Sequence, residues 1–197
     1  ETVEKEEYNS YFVDALINQV TKDLAKQYGY NESHANDLFY SGGYKIYATV
    51  DKEMQAAAEA VFADSDTYAI TSSSGKKMTG GITVMDYEGN VKAIVGGIGE
   101  KTTNRGFNTA TDAIRQPGST MKPAISIAAL EEEAADINTT CYCGGSYTLE
   151  DQTFKCLQSH GYLNVTSALE KSCNIYYFEM GKKLGIDKMN KYCGLLG

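Results

Sequence analysis

The chain of 197 residues carries 26 acidic and 18 basic side chains, which gives a net charge of −8. This excess of negative charge argues against nucleic acid or an anionic membrane surface as a partner. Hydrophobic residues make up 42% of the chain and charged residues 22%, as in globular proteins. A membrane-spanning helix needs about 20 apolar residues, and no apolar run in the chain approaches that length. We therefore expect a globular chain, long enough for one domain with a core or for a large part of one.

The chain before residue 80 predicts two helices and one strand. Apolar residues recur every three or four positions between Ser10 and about Tyr28, which predicts a helix. Residues 31–41 are polar and are interpreted as a connector. Residues 44–50 alternate with a period of two, which favours a strand. Asp51 then provides an N-cap for a second helix.

The segments after residue 80 favour an antiparallel sheet. Two apolar stretches, 81–86 and 91–95, flank a Glu-Gly-Asn turn and predict a β-hairpin. Adjacent strands that follow a helix favour an α+β fold over a parallel β-α-β sheet. Residues 134–164 lack a helical pattern and are expected to be loop-rich. Further helices are expected over 175–184 and from Asp187.

A serine and a lysine three residues apart follow a Pro-Gly turn within the nonapeptide Arg115–Pro123. Ser119 and Lys122 fall in the first turn of a helix predicted to run to about Glu131, and residues three apart share one helix face. A serine hydroxyl becomes an effective nucleophile when a base takes its proton, and a lysine can be that base if its pKa is lowered. The pair predicts a nucleophile and its base. From spacing alone, an ordinary serine at a helix start is the alternative.

The same spacing occurs at two other places, Ser73 to Lys76 and Ser74 to Lys77. Both pairs lie in a polar run without apolar periodicity, which is typical of a solvated loop. Spacing by itself is therefore weak evidence, and the sequence around Ser119 has to distinguish the pairs.

That surrounding sequence resembles a known family. Arg115–Pro123 resembles the first active-site motif of the penicillin-binding proteins, the D,D-transpeptidases that cross-link peptidoglycan. Their signature combines S-x-x-K with S-D-N and K-T-G motifs. The one Ser-x-Asn tripeptide of the chain, Ser172-Cys173-Asn174, resembles the second motif in its context of residues 165–178. Residues 11–14 and 42–57 resemble bifunctional class A members, whereas the segment 156–174 also resembles monofunctional class B members.

The resemblance implies a domain organisation. Residues 1–42 are expected to form an N-terminal helix and connector. Residues 43–197 are expected to form the first part of a transpeptidase domain, whose α+β fold has an antiparallel sheet flanked by helices, as in serine β-lactamases. The third motif is absent, since Lys101-Thr102-Thr103 has no glycine and precedes the nucleophile. We therefore expect an incomplete domain that is catalytically inactive unless a second chain supplies the remainder.

The resemblance also implies roles for individual residues. Ser119 is the acylated nucleophile and Lys122 the base that deprotonates it. Ser172 relays a proton towards the leaving amine, and Asn174 binds a substrate amide and helps to hold Lys122. The implied partners are peptidoglycan stem peptides, as D-Ala-D-Ala donor and amine acceptor, and β-lactams, with no cofactor and no metal. The implied location is the extracytoplasmic face of the bacterial membrane, reached through an anchor outside these residues, which are expected to be soluble by themselves.

Five cysteines are gathered in the last third of the chain: Cys141, Cys143, Cys156, Cys173 and Cys193. A Cys-x-Cys followed by a single Cys lacks the usual zinc spacing, and no paired His supports one. A disulfide from Cys141 or Cys143 to Cys156 is one interpretation, because the family works in an oxidising compartment. The favoured interpretation is that the cysteines are free thiols packed as small apolar groups. His34 and His160 are interpreted as loop histidines.

Two other functions stay open. A serine β-lactamase would share the Ser119–Lys122 pair but needs a deacylating base, which the sequence does not reveal. A non-catalytic β-lactam sensor or scaffold would keep the pocket without turnover. Rapid β-lactam hydrolysis would indicate the first, and stable acylation a sensor or a trapped transpeptidase.

Overall fold

The computed structural model describes residues 8–197, so the first seven residues of the predicted N-terminal segment 1–42 lie outside the description. The described chain divides into two compact units, one ending at Ile114 and the other beginning at Arg115. This division differs from the predicted boundary after residue 42, which concerns the family domain and stays a prediction. Each unit is described separately below.

Three helices occupy the first part of the first unit: α1 (Tyr11–Tyr28), α2 (Glu32–Ser41) and α3 (Lys52–Ala63). The predicted α1 is confirmed: the Ser10 side chain accepts a hydrogen bond from the Val13 N–H at 3.2 Å, and Gly29 ends the helix with φ of 68°. Glycine adopts this left-handed conformation without steric cost. The predicted cap of α3 is also confirmed, since Asp51 accepts from two N–H groups of the first turn.

The predicted connector over residues 31–41 is wrong, because these residues form α2. Asn31 caps the helix by accepting from the His34 N–H at 2.9 Å, and Ala35 is fully buried. A short polar helix of this kind is stabilised by its cap and by packing against α1 rather than by a strong apolar pattern. The sequence pattern therefore did not distinguish it from a loop.

Two antiparallel strands, β1 (Ile82–Met85) and β2 (Val91–Val95), confirm the predicted hairpin. They pack with α3 around a small core of Ala58, Phe62, Ala93 and Val95. The predicted strand over 44–50 is wrong, since these residues are assigned to no strand. Near its end the segment runs beside β2, where the Asp51 N–H donates to the Lys92 carbonyl at 2.9 Å. One such bond does not make the repeated pairing that defines a strand.

The second unit contains a 3₁₀ turn, four helices and four short strands. The turn spans Gly118–Thr120, and the strands pair antiparallel as β3 with β6 and β4 with β5. The elements are α4 (Met121–Glu131), β3 (Cys141–Cys143), β4 (Ser146–Leu149), β5 (Gln152–Lys155), β6 (Gly161–Leu163), α5 (Val165–Glu170), α6 (Asn174–Leu184) and α7 (Ile186–Leu195). The predicted helices over 175–184 and from 187 are thus confirmed to within a residue.

The loop-rich prediction for residues 134–164 is wrong in part, because the four strands β3 to β6 lie there. Each strand has only three or four residues. Such strands lie at or below the lower limit of about four to eight residues over which a period-two pattern can be recognised.

The core of the second unit lies where α4 and α6 pack together. Tyr176, Met180, Ala168 and Cys173 are at most 1% exposed there, with Leu163 of β6 beside them. This packing fixes the first turn of α4 relative to the loop between α5 and α6. The predicted α+β class, with helices and antiparallel strand pairs, is confirmed. Within residues 8–197, no helix is both long and apolar enough to cross a bilayer.

Candidate active site

Ser119 lies on an exposed 3₁₀ turn that precedes α4. Gly118 has φ of 58°, a left-handed conformation that favours glycine. The Thr120 hydroxyl donates to the Pro117 carbonyl at 2.6 Å and closes the turn. The sequence predicted the α-helix to begin at Ser119, whereas it begins at Met121. The tight turn presents the serine hydroxyl at the surface.

Lys122 is the second residue of α4, and only 7% of it is exposed. Pro123 follows it, where the missing N–H costs nothing because the first-turn N–H groups have no partner within a helix. The Lys122 ammonium nitrogen lies 2.6 Å from the Ser172 carbonyl oxygen, 2.8 Å from Ser172 Oγ and 2.8 Å from Asn174 Oδ1. These three acceptors match the three donors of an ammonium group.

The loop between α5 and α6 delivers Ser172 and Asn174 to this lysine. Ser172 has φ of 49°, a strained conformation for a residue other than glycine. Its N–H donates to the Leu169 carbonyl at 3.1 Å, and the next N–H, of Cys173, donates to the Ala168 carbonyl at 2.9 Å. The Cys173 side chain is fully buried. Backbone bonds and a buried anchor thus hold the Ser172 hydroxyl in place.

Ser119 and Ser172 complete the arrangement, with 2.9 Å between their hydroxyl oxygens. Ser172 Oγ therefore lies within hydrogen-bond distance of both the Ser119 hydroxyl and the Lys122 nitrogen. The structure brings together all four residues that the sequence nominated: Ser119, Lys122, Ser172 and Asn174. Their chemical roles are taken up below as proposals.

Two further residues support Lys122 and were not identified from the sequence. The Tyr177 ring centre lies 5.6 Å from the lysine nitrogen, close enough for a cation–π interaction. The Tyr177 and Ser126 hydroxyl oxygens are 2.8 Å apart, and Ser126 also donates to the Lys122 carbonyl at 3.0 Å. The helical spacing from Lys122 to Ser126 is a signal that could have suggested the second contact.

Burial lowers the pKa of Lys122 from its ordinary value of 10.5, against the opposing influence of Cys156 and Cys173. Desolvation acts in this direction because it disfavours the charged ammonium form. A lysine with a lowered pKa is easier to convert to the neutral amine that can accept a proton.

The two alternative Ser–Lys pairs lie in the exposed segment 71–77, as predicted. Its contacts are local, such as the Ser72 N–H donating to the Lys76 carbonyl at 2.8 Å. The five cysteines are free thiols, so the structure contradicts the disulfide interpretation for Cys141 or Cys143 with Cys156. His160 lies beside Cys143 and Cys156, not beside a nucleophilic serine.

The part of the chain that carries this site matches a known protein family. Residues 80–197 match the family described as the penicillin binding protein transpeptidase domain. The match covers more than half of the chain and contains the Ser119, Lys122, Ser172 and Asn174 arrangement. The chain belongs to this family.

Two curated relatives show what the chain is similar to. The chain is 29% identical over 206 residues to penicillin-binding protein 1A of Clostridium botulinum, which covers 95% of this chain and 24% of that protein. It is 28% identical over 171 residues to the peptidoglycan D,D-transpeptidase MrdA of Escherichia coli, which covers 79% of this chain and 26% of that protein. The chain thus spans about a quarter of the length of these relatives.

Solved structures agree with the family assignment. The penicillin-binding protein PonA1 from Mycobacterium tuberculosis superposes with a TM-score of 0.63 and 25% identity, over 86% of this chain and 40% of that one. The transpeptidase domain of Burkholderia pseudomallei penicillin-binding protein 3 gives a TM-score of 0.61 at 23% identity, over 77% of this chain and 43% of that one. The second likeness concerns the fold alone.

Proposed function

We propose that this chain is the nucleophile-bearing part of a peptidoglycan D,D-transpeptidase that works at the extracytoplasmic face of the bacterial membrane. The observation that carries the proposal is the continuous contact from the Ser119 hydroxyl through the Ser172 hydroxyl to the Lys122 nitrogen, at 2.9 Å and 2.8 Å. Nucleophile, bridging hydroxyl and base are all within hydrogen-bond reach, as activation of a serine requires. We also propose that the parent protein has a membrane anchor, and that this anchor and any further domain lie outside these residues.

The hydrogen bonds can be oriented for proton transfer once Lys122 is neutral. A neutral amine donates two hydrogens, which fit the Ser172 carbonyl and Asn174 Oδ1, and its lone pair can then accept from the Ser172 hydroxyl. The Ser172 oxygen can in turn accept from the Ser119 hydroxyl. A proton leaving Ser119 thus has a path to Lys122 through Ser172. General-base assistance of this kind is worth about 10²–10⁴-fold in rate.

In the proposed reaction, Ser119 Oγ attacks the carbonyl between the two D-alanines of a donor stem peptide. The Oγ–carbon bond forms, the peptide bond breaks, and the departing D-alanine amine takes the proton that Ser119 gave up. The amine of a second stem peptide then attacks the acyl-enzyme, the new C–N bond forms the cross-link, and the carbon–Oγ bond breaks as the amine's proton returns to Ser119. A β-lactam acylates the same oxygen by opening its strained amide.

The developing negative charge on the substrate oxygen needs backbone donors. The Ser119 N–H, at the start of the turn before α4, is the proposed first donor. The Lys-Thr-Gly motif of the family signature does not occur in these 197 residues, and we propose that the strand carrying it supplies the second donor. Removing one such donor costs about 10²–10³ in rate in a known protease. We therefore expect cross-linking by these residues alone to be far slower than by the complete domain.

The intact mass of the chain after incubation with benzylpenicillin tests the nucleophile. We expect one covalent adduct that maps to the peptide containing Ser119, and no adduct in Ser119→Ala. Ser73→Ala, which changes the serine of an alternative Ser–Lys pair in the exposed segment 71–77, serves as the matched control and should still form the adduct. An adduct retained in Ser119→Ala, or none in the wild type even within a longer chain that includes the third motif, would contradict the proposal.

The fate of the adduct separates the remaining alternatives. A transpeptidase or a sensor holds the acyl group, whereas a β-lactamase releases a hydrolysed drug and regenerates free enzyme. Donor and acceptor stem peptides, supplied to the longer chain, then separate a transpeptidase from a sensor. Formation of a cross-linked peptide supports the proposal.

A further inference from the structure

Three thiols and one imidazole converge beside the Ser172 loop of the second unit. Cys143, Cys156, His160 and Cys173 each offer one ligand atom, and these four atoms all lie within 4.8 Å of one another. Cys143 and Cys173 are buried, while Cys156 and His160 are partly buried. Soft sulfur and imidazole donors at such mutual distances are the composition of a structural zinc site.

Four separate backbone segments bring these donors together. Cys143 is the last residue of β3, and His160 precedes β6, which pairs with β3. The His160 N–H donates to the Cys143 carbonyl at 3.1 Å. Cys156 follows β5, and its N–H donates to the Gly145 carbonyl at 2.9 Å. Cys173 caps α6. The positions of all four residues are therefore fixed by strand pairing or by a helix start.

Three of the separations match those between the corners of a tetrahedron around one ion. Metal–sulfur bonds of about 2.3 Å and metal–nitrogen bonds of about 2.0 Å place two sulfurs about 3.8 Å apart, and a sulfur and a nitrogen about 3.5 Å apart. The Cys156 and Cys173 sulfurs are 3.9 Å apart. His160 Nδ1 lies 3.5 Å from the Cys143 sulfur and 3.6 Å from the Cys156 sulfur. A disulfide would join only two of the three sulfurs and leave the imidazole without a role.

A backbone donor also faces this cluster. The Asn174 N–H lies 3.3 Å from the Cys156 sulfur, so a thiolate formed there on metal binding has a hydrogen-bond donor beside it. A coordinating thiol loses its proton to the metal.

We propose that Cys143, Cys156, His160 and Cys173 bind one Zn²⁺ ion in a closed, four-coordinate structural site. Binding releases the protons of the thiols, and three thiolates with a neutral imidazole leave the occupied site with one net negative charge. With all four positions filled by protein, the ion has no open position for water or substrate and therefore takes no part in the chemistry.

The zinc ion fixes the active-site loop. Cys173 stands between Ser172 and Asn174, and both neighbours contact Lys122. Coordination of Cys173 ties this tripeptide to the β3–β6 pair and maintains the left-handed conformation of Ser172. This consequence for catalysis rests on the proposed function, whereas zinc binding itself does not.

The test is the zinc content of the reduced chain after zinc loading and removal of excess metal. We expect about one zinc ion per chain, with content lost in Cys156→Ser and in His160→Gln. Two matched controls should retain it: Cys141→Ser, at the other end of β3, and Cys193→Ser, on α7. Circular dichroism reports whether each variant has folded. Cobalt substitution in the wild type should give the thiolate charge-transfer bands of a tetrahedral site.

Several outcomes would overturn the proposal. The first is a wild type that binds no zinc under reducing conditions. The second is that folded Cys156→Ser and His160→Gln variants keep bound zinc. The third is a Cys156–Cys173 disulfide in the chain isolated without reductant. Ser119→Ala should lose the penicillin adduct and keep zinc. That variant separates failure of the zinc proposal from failure of the proposed function.

Discussion

The Ser172-Cys173-Asn174 tripeptide takes part in two side-chain clusters of different chemistry. Ser172 and Asn174 surround the Lys122 nitrogen with oxygen acceptors and connect it to the exposed Ser119. Cys173, between them, is fully buried and lies with two other sulfurs and an imidazole. One cluster has an accessible hydroxyl at its end, and the other is held within the packed unit.

The difference shows how a reactive group can be positioned at a surface. An exposed hydroxyl has few packing contacts of its own, so its position depends on neighbours that are held firmly. Here the neighbour, Ser172, adopts a left-handed conformation, which costs about 1–3 kcal/mol and persists only when the surroundings fix it. The buried cysteine next to it supplies that constraint. The two clusters should therefore respond to different substitutions.

The largest expected effect comes from removing the lysine amine. Lys122→Met keeps the length of the side chain but removes the base, so the second-order rate of acylation by benzylpenicillin should fall by about 10²–10⁴-fold. Zinc content should not change, because Lys122 is not among the four proposed ligands. Lys182→Met, at an exposed helical lysine of the same unit, is the control. A fall of less than tenfold would remove Lys122 from the role of base.

The pH dependence of acylation sharpens the same comparison. Burial lowers the pKa of Lys122, while Cys156 and Cys173 oppose this and the Tyr177 ring also faces the amine. The neutral amine is the active form, so the rate should rise with pH by about tenfold per unit below that pKa. The midpoint should lie below the ordinary value of 10.5. Stopped-flow acylation at constant zinc measures this profile, and a rate that falls as pH rises would exclude a lysine base.

The sequence predicted the two clusters unequally. Ser119 and Lys122 are three residues apart, so helical geometry alone places them together, and the Ser-x-Asn motif identifies Ser172 and Asn174 by resemblance. Cys143, Cys156 and Cys173 are far apart in the chain, and strands of three or four residues bring them together. The spacing rule for zinc motifs considers near neighbours and did not predict this group.

The secondary-structure elements were also predicted unequally. The bounds of α1 and the start of α3 were predicted almost to the residue, because the caps Ser10 and Asp51 leave a local signal. The helix α2 and the strands β3 to β6 depend on tertiary contacts, which short windows of sequence do not contain. Tyr176 and Tyr177 are adjacent on α6 and both are buried. The sequence pattern therefore could not predict which of them supports Lys122.

Those two tyrosines provide the prediction with the smallest effect. The Tyr177 hydroxyl pairs with Ser126 at 2.8 Å, whereas the buried Tyr176 hydroxyl has no hydrogen-bond partner among the described residues. Tyr177→Phe should lower the free energy of unfolding by about 1 kcal/mol, the usual net value of one hydrogen bond. Tyr176→Phe removes a desolvated hydroxyl that gains nothing in return, so stability should stay the same or rise by up to about 1 kcal/mol.

Urea denaturation of the zinc-loaded protein measures both tyrosine variants against the wild type. Because the Tyr177 hydroxyl contacts Ser126, whose hydroxyl donates to the Lys122 carbonyl, only Tyr177→Phe should also slow acylation. Equal losses of stability in the two variants would mean that the Tyr176 hydroxyl is hydrogen-bonded in solution. Slower acylation in Tyr176→Phe alone would instead place the support of Lys122 in the buried core rather than in the Tyr177–Ser126 pair.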